Sequence, residues 1–275
     1  RTIKKEKIVE LRNTLHSFHP AVQAIKDDNL QLLQEIIDQT KIQLESELPE
    51  SFNEIHEILR HANLIEYAAF FGSIQCFSYI QSKQEKINYN KLLEYAIAGG
   101  NTEIIHKIEE TGNLIEQNQN LLYLAILYMN NDLIDYVIQK YNVKINSESY
   151  IKCLYSSNYD ALLKLKEKDN SNEINSFGEI GSAPIDIASF EGCFVFFKYL
   201  TKIADVKTYN SFGKNVLHSA VRNNNIDIVK YIVKHKLVDL NDKGDYGITP
   251  YEIAQQYNLT NIYQFLAPYY QKNNE

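Results

Sequence analysis

Cysteine is scarce and odd in number. The chain of 275 residues has three, Cys76, Cys153 and Cys193. That count argues against a disulfide framework and suits a reducing compartment, and no two of the three stand at metal-ligand spacing. Long hydrophobic runs are missing as well. No stretch of about 18 or more apolar residues occurs, so no membrane-spanning helix is expected, and no basic-then-apolar leader opens the chain. Positive charge is the minority sign: Lys and Arg number 28 against 35 Asp and Glu, a formal net charge of −7. A phosphate-backbone binder ordinarily carries a basic face, so nucleic acid is disfavoured, and the short basic stretch from Lys4 to Lys7 reads as a solvated face. Tryptophan is absent, which excludes nothing. Residue 1 is Arg rather than Met, which motivates the expectation that a longer protein contains this chain.

Motifs that carry chemistry are equally thin. His16 and His19 form an H-x-x-H pair without the glutamate of H-E-x-x-H and without a nearby cysteine, and no metal site is expected. Cys153 has no histidine or aspartate partner fixed by sequence and reads as a small buried hydrophobe. No G-x-x-x-x-G-K-[ST] phosphate loop occurs. Gly178 and Gly181 are spaced like part of a dinucleotide fingerprint but belong to a recurring loop. The neighbouring carboxylates Asp27-Asp28 and Glu109-Glu110 point to different sides of a helix and make no acid/base pair. No catalytic residue, no cofactor and no enzymatic activity are expected from this sequence.

What the chain does have is apolar content and periodicity. Hydrophobic residues make up 44% and charged residues 23%, with 12 Phe and 20 Tyr, a composition that builds a packed core rather than a disordered chain. Three segments align without gaps: 174–193, 206–225 and 240–259. Each has a loop glycine (Gly181, Gly213, Gly247), then a helix with a small residue (Ala188, Ala220, Ala254), then a second apolar helix starting near Phe196, Ile228 or Ile262. Weaker copies run backward through Gly72, Gly100, Met129 and Ser157, about 28 residues apart. A first, degenerate copy lies near Ala24–Ile37. Helices close on Gly72, Gly100, Gly192, Asn224 and Asn258, residue types that tolerate a left-handed turn. Met129 and Ser157 depart from this, and Asn130 and Asn158 are expected to take over the turn.

These segments resemble the ankyrin repeat, a β-turn and two helices with a T-P-L-H-x-A signature and a period of about 33 residues. Thr249-Pro250-Tyr251-Glu252-Ile253-Ala254 comes close, Ala183-Pro184-Ile185-Asp186-Ile187-Ala188 is similar, and Leu217-His218 keeps the Leu-His pair. Pro184 and Pro250 fall in the first helical turn, where the missing N–H is harmless. The resemblance implies an all-α ankyrin-repeat solenoid of about seven to eight helix-pair repeats, with short β-turn fingers in the C-terminal ones. It also implies that His218 ties loop backbone together. The expected organisation is an N-terminal helical cap over 1–61 and a repeat array over 62–275. Short repeats fill about 62–173, consensus-like repeats about 174–268, and 269–275 form a polar tail. Residues 1–19 read as a short helix, Ile55, Ile58 and Leu59 as helical, and Pro268 as the end of the last helix.

Repeat arrays present extended binding surfaces. In the family these are built from finger tips and the exposed side of the first helix. Reading those positions here yields Phe70, Phe71, Tyr128, Tyr155, Phe190, Glu191, Arg222 and Tyr257 along the helices. Glu179, Ile180, Ser211, Asp245 and Tyr246 are the tips. Exposed aromatics and arginine are favoured at interface cores. The competing reading for Phe70, Phe71, Tyr128 and Tyr155 is that shortened repeats pack them against each other or against the N-terminal segment. The expected function is an intracellular, cytoplasmic adaptor, monomeric alone, that holds another protein. The alternative is the targeting module of a larger enzyme or secreted effector, placed in a host cell in the latter case. A self-associating spacer is a third class. Abundant Asn, Ile and Lys suit an AT-rich genome.

Overall fold

A computed structural model describes residues 19–48, 56–111, 114–245 and 247–271. The expected helix over 1–19, apart from its last residue, the basic stretch, His16, Ile55 and Tyr246 lie outside them. The described residues form sixteen α-helices and no strand, an all-α repeat fold. The chain divides into two compact units, 1–144 and 145–275.

The first unit holds α1 (Pro20–Lys26), α2 (Leu30–Thr40), α3 (Leu64–Phe71), α4 (Ile74–Lys83), α5 (Tyr89–Gly99), α6 (Thr102–Thr111), α7 (Gln119–Leu127) and α8 (Leu133–Lys140). Consecutive helices pack in pairs, and the first helix of each pair stacks on the first helix of the next: α1 on α3, α3 on α5, α5 on α7. The approach is close. A Cβ added to Gly99 on α5 would stand 2.0 Å from the carbonyl oxygen of Phe70 on α3, so a larger residue there would push the stack apart. Asparagine starts many of the helices. The side chains of Asn29, Asn63, Asn88 and Asn118 each accept a backbone N–H of the following first turn, satisfying a donor that has no helical partner. His19 does the same for α1, its Nδ1 accepting from Ala21 N at 3.2 Å. Residues 57–59 form a single turn of 3₁₀ helix, with Leu59 buried and its carbonyl accepting the Tyr67 hydroxyl.

The second unit holds α9 (Ser147–Tyr155), α10 (Tyr159–Lys168), α11 (Pro184–Phe190), α12 (Phe194–Leu200), α13 (Val216–Arg222), α14 (Ile226–His235), α15 (Pro250–Gln256) and α16 (Thr260–Gln271). Again the first helices stack in order, α9 on α11, α11 on α13 and α13 on α15. Pro184 and Pro250 occupy the first helical turn, where no N–H is needed.

Every pair turns through one residue with positive φ: Asp28, Gly72, Gly100, Met129, Ser157, Gly192, Asn224 and Asn258. Met129 at 60° and Ser157 at 53° therefore hold the left-handed position themselves, and Asn130 and Asn158 do not take it over. The reason is the hydrogen-bond pattern. The N–H after the turn reaches back to the fifth residue before it, as in Asn130 N to Ala125 O and Asn158 N to Cys153 O at 2.8 Å each, which requires a left-handed residue between. The two asparagines have other work: Asn130 Nδ2 donates to the carbonyls of Ile97 and Ala98, and Asn158 Oδ1 caps α10.

Pro268 does not stop the last helix, which continues to Gln271. A proline inside a helix removes one bond of the ladder, but the turn beyond it is held by tertiary contacts. The Tyr270 hydroxyl donates to the Leu240 carbonyl, and its ring stacks on Tyr251 with centroids 4.7 Å apart.

Candidate functional site

In the second unit an open groove of about 660 Å³ runs across α11, α13 and α15 and the loops that precede them. The loop wall is built from repeated turns. Gly178 N donates to Ser182 O at 3.0 Å, and Asn210 N, one repeat later, to Lys214 O at 2.9 Å. Successive turns are tied to each other by Ser211 N to Gly181 O at 2.8 Å and Asp245 N to Gly213 O at 3.1 Å. The approach leaves no room for a side chain: a Cβ on Gly244 would stand 2.2 Å from Gly213 O.

The helix wall is held in register by polar ties. Asn225 Nδ2 donates to the carbonyls of Ser189 at 2.9 Å and Phe190 at 2.5 Å, fixing the end of α11 against the turn after α13. Behind the groove, His218 is 1% exposed. Its Nδ1 lies 2.8 Å from Asn215 Oδ1 and its Nε2 3.2 Å from the Ile248 carbonyl. It thus links α13 to the next loop, and burial holds its pKa below the ordinary value. Asn215 donates to the Asp242 carboxylate at 2.8 Å. Burial works to raise the Asp242 pKa, but hydrogen bonds from Tyr209, Gly244 N and Asn215 win and keep it low. This network is structural: it places Lys243 and Ile248 on the rim.

Of the residues singled out in the sequence, Ile180, Phe190, Arg222 and Tyr257 line the groove. Ile180 is 56% exposed and Tyr257 52%, so both present apolar surface without cover from their own unit. Glu179, Glu191, Ser211 and Asp245 are exposed but lie outside the lining. Tyr155, in the same unit, is half exposed and also outside it.

Phe70, Phe71 and Tyr128 belong to the first unit. Phe70 is fully buried and so cannot face a partner, while Phe71 and Tyr128 are half-buried. Phe70 meets Phe71 at 5.3 Å, Tyr128 at 5.7 Å and the ring of His56 at 5.0 Å between centroids. Phe70 is thus packed among aromatic rings, while Phe71 and Tyr128 keep part of their surface open.

Groove residues that the sequence did not single out include Phe212, Lys214, Lys243 and Ile248. The repeat register held the signal for one of them. Phe212 stands one repeat after Ile180, one place beyond the expected tip Ser211, while Ile248 stands one repeat after Lys214, itself not singled out, so the register marks only Phe212. The lysines look like ordinary solvated charges in the sequence. Lys214 is half-buried, and desolvation together with the nearby Arg222 cation lowers its pKa. Asp186, buried under the lining, accepts from Ser219 Oγ and from Asn210 Nδ2 at 2.9 Å. No group of three or more metal-ligating side chains occurs among the described residues, and no helix among them is long and apolar enough to cross a membrane.

Comparison with known proteins fits this geometry. Residues 185–275 match the family described as ankyrin repeats (3 copies), the stretch that supplies most of the groove. Residues 82–165 match a domain of unknown function, DUF3447. A stretch of 76 residues is 37% identical to alpha-latrocrustotoxin-Lt1a of Latrodectus tredecimguttatus. That stretch is 27% of this chain and 5% of the spider protein, so the match covers a small fraction of that relative's length.

Proposed function

We propose, from the premise that residues 185–275 are ankyrin repeats, that this protein is an adaptor whose work is to hold another protein in the groove across α11, α13 and α15. Ankyrin repeats are protein-interaction modules. The observation that carries the finer reading is the convergence of Ile180, Phe190, Arg222 and Tyr257 on one open face. They come from three successive repeats, and large exposed apolar and aromatic groups on a rigid scaffold are the usual substance of an interface core. Mechanism here is surface complementarity, with no bond made or broken. The three free thiols support a reducing compartment for that work.

The test is affinity capture from native lysate with the wild type and with a Phe190→Ala, Arg222→Ala, Tyr257→Ala variant, folding being checked by circular dichroism. A partner retained by the wild type and lost by the folded variant is the expected result. Equal capture by both sinks the groove reading.

The second reading is a targeting module within a longer protein, favoured by a relative of which this chain matches only 5%. Under it the groove delivers a catalytic or effector part encoded elsewhere. Sequencing the complete transcript decides: an open reading frame that adds no further domain removes it.

A further inference from the structure

The lining of the groove has a charge that the whole chain lacks. The formal net charge of the protein is −7, yet the lining contains Lys214, Arg222 and Lys243 against one carboxylate, Asp186. That carboxylate is buried, accepts from Ser219 and Asn210, and attracts the Lys214 cation, which leaves the lining with an excess of positive charge carried mainly by Arg222 and Lys243. His218 is kept neutral by burial. Arg222 is exposed, and no hydrogen bond or ion pair of its side chain occurs among the described residues. Lys214 is half-buried; burial and the Arg222 cation oppose its charge, and the Asp186 carboxylate favours it. An incoming carboxylate would be attracted most by the exposed Arg222. The rest of the lining is largely apolar, with Ile180 and Phe190 from the first of the three repeats, Phe212 from the middle one and Ile248 and Tyr257 from the last.

We propose that the segment seated in this groove is an extended acidic peptide, its carboxylates against Lys214 and Arg222 and an apolar side chain at each end, against Phe190 and against Tyr257. This rests on the groove being the docking site. Length follows from the stacking. Neighbouring helices lie about 8–10 Å apart, so Phe190 to Tyr257 spans two such steps, roughly 16–20 Å. An extended chain advances about 3.3–3.6 Å per residue, and five or six residues cover the distance. Charge complementarity of this kind steers encounter and fixes register more than it adds affinity. Glu179, Glu191 and Asp245, exposed outside the lining, repel an anion that overshoots the central cations. RNA is the rival polyanion, but three cations flanked by apolar surface suit one short acidic stretch better than a phosphate backbone, which asks for a continuous basic face.

The experiment is selection from a random peptide library on the whole chain, repeated with Arg222→Glu and with Phe190→Ala/Tyr257→Ala. Affinities of the enriched peptides are then measured by fluorescence anisotropy at low and high salt. Asp and Glu flanked by aromatic or aliphatic residues should be enriched. Those peptides should bind Arg222→Glu at least about tenfold more weakly and should weaken as salt rises. The Arg222→Glu chain should itself select basic peptides. Enriched peptides that are neutral or basic, yet are lost with Phe190→Ala/Tyr257→Ala, overturn the acidic assignment and leave the groove standing. Acidic peptides that bind every variant equally, or no enrichment at all, overturn both. Poly(U) RNA that binds more tightly than any enriched peptide, and loses that affinity in Arg222→Glu, overturns the choice of a peptide.

Discussion

At the scale of single residues, identity matters less than neighbours. His218 stands where a family resemblance predicts a loop tie, and it makes one, between Asn215 and the Ile248 carbonyl. Both partners are acceptors and would favour a ring protonated on both nitrogens, but burial, which disfavours the charged form, outweighs them. A depressed pKa has a sign. In the unfolded chain His218 takes up its proton near pH 6.5, while in the folded chain it resists until a lower pH. Its contribution is complete above about pH 6.5 and is lost as pH falls toward the folded pKa, by up to about 1.4 kcal/mol per pH unit. Urea unfolding of the second unit should thus show lower midpoints at pH 5.5 than at pH 7.5, and His218→Gln should flatten that slope. An unchanged slope would assign the effect to other groups. His19, whose pKa burial also lowers, belongs to the first unit and should not contribute. Asparagine has structural uses: it caps helices and, at Asn130 and Asn225, pins the preceding repeat.

At the scale of the element, the turn between paired helices is the most repeated device in the chain. All eight such turns pass through a residue of positive φ. Glycine fills three of them, and Ser157 fills one at a steric cost, since left-handed backbone crowds a Cβ against the following carbonyl. Ser157→Gly should raise the urea midpoint of the second unit, by a stabilisation of about 0.5–1 kcal/mol, the typical size of such backbone effects. Gly192→Ala should lower it by at least as much. There φ is 74° and an added Cβ would stand 2.6 Å from Asn225 Oδ1, the residue whose amide ties α13 to α11. Equal midpoints for both variants would remove strain as the explanation. The turn positions were largely legible in the sequence because glycine and asparagine announce them. Met129 and Ser157 were not, because there the hydrogen bond to Ala125 or Cys153 imposes the conformation and the residue merely tolerates it. The end of α16 lies beyond its expected place for a similar reason: Pro268 signals a stop locally, and the packing of Tyr270 overrides it.

At the scale of the whole molecule, two compact units each carry a buried thiol, Cys76 in the first and Cys153 in the second, while Cys193 is half-buried. Burial foremost, and then the Asp28 carboxylate, push the Cys76 thiol up to about 12, and burial raises Cys153 as well. Reactivity needs thiolate and access. In native buffer near pH 8, a thiol reagent should label Cys193 first, and Cys76 and Cys153 only as urea opens their units. Labelling at the two buried sites then reports the stability of each unit separately. Prompt reaction of Cys153 in native buffer would contradict its burial.

The sequence by itself determined the class of fold and the repeat register. Loop glycines, small helix residues and apolar spacing recur in phase, and such local signals need no knowledge of what lies opposite. Laid on that register, the family resemblance assigns Ile180 to a loop tip and Phe190, Arg222 and Tyr257 to the open side of the first helices. Only the tertiary structure decided that Phe70, at an equivalent position in a shorter repeat, is enclosed by Phe71, Tyr128 and His56. It alone brought Lys214, Arg222 and Lys243 to one face, from two loops and a helix, in a chain of net negative charge. Exposure and electrostatic environment depend on which groups meet across space, and a linear pattern does not encode those meetings.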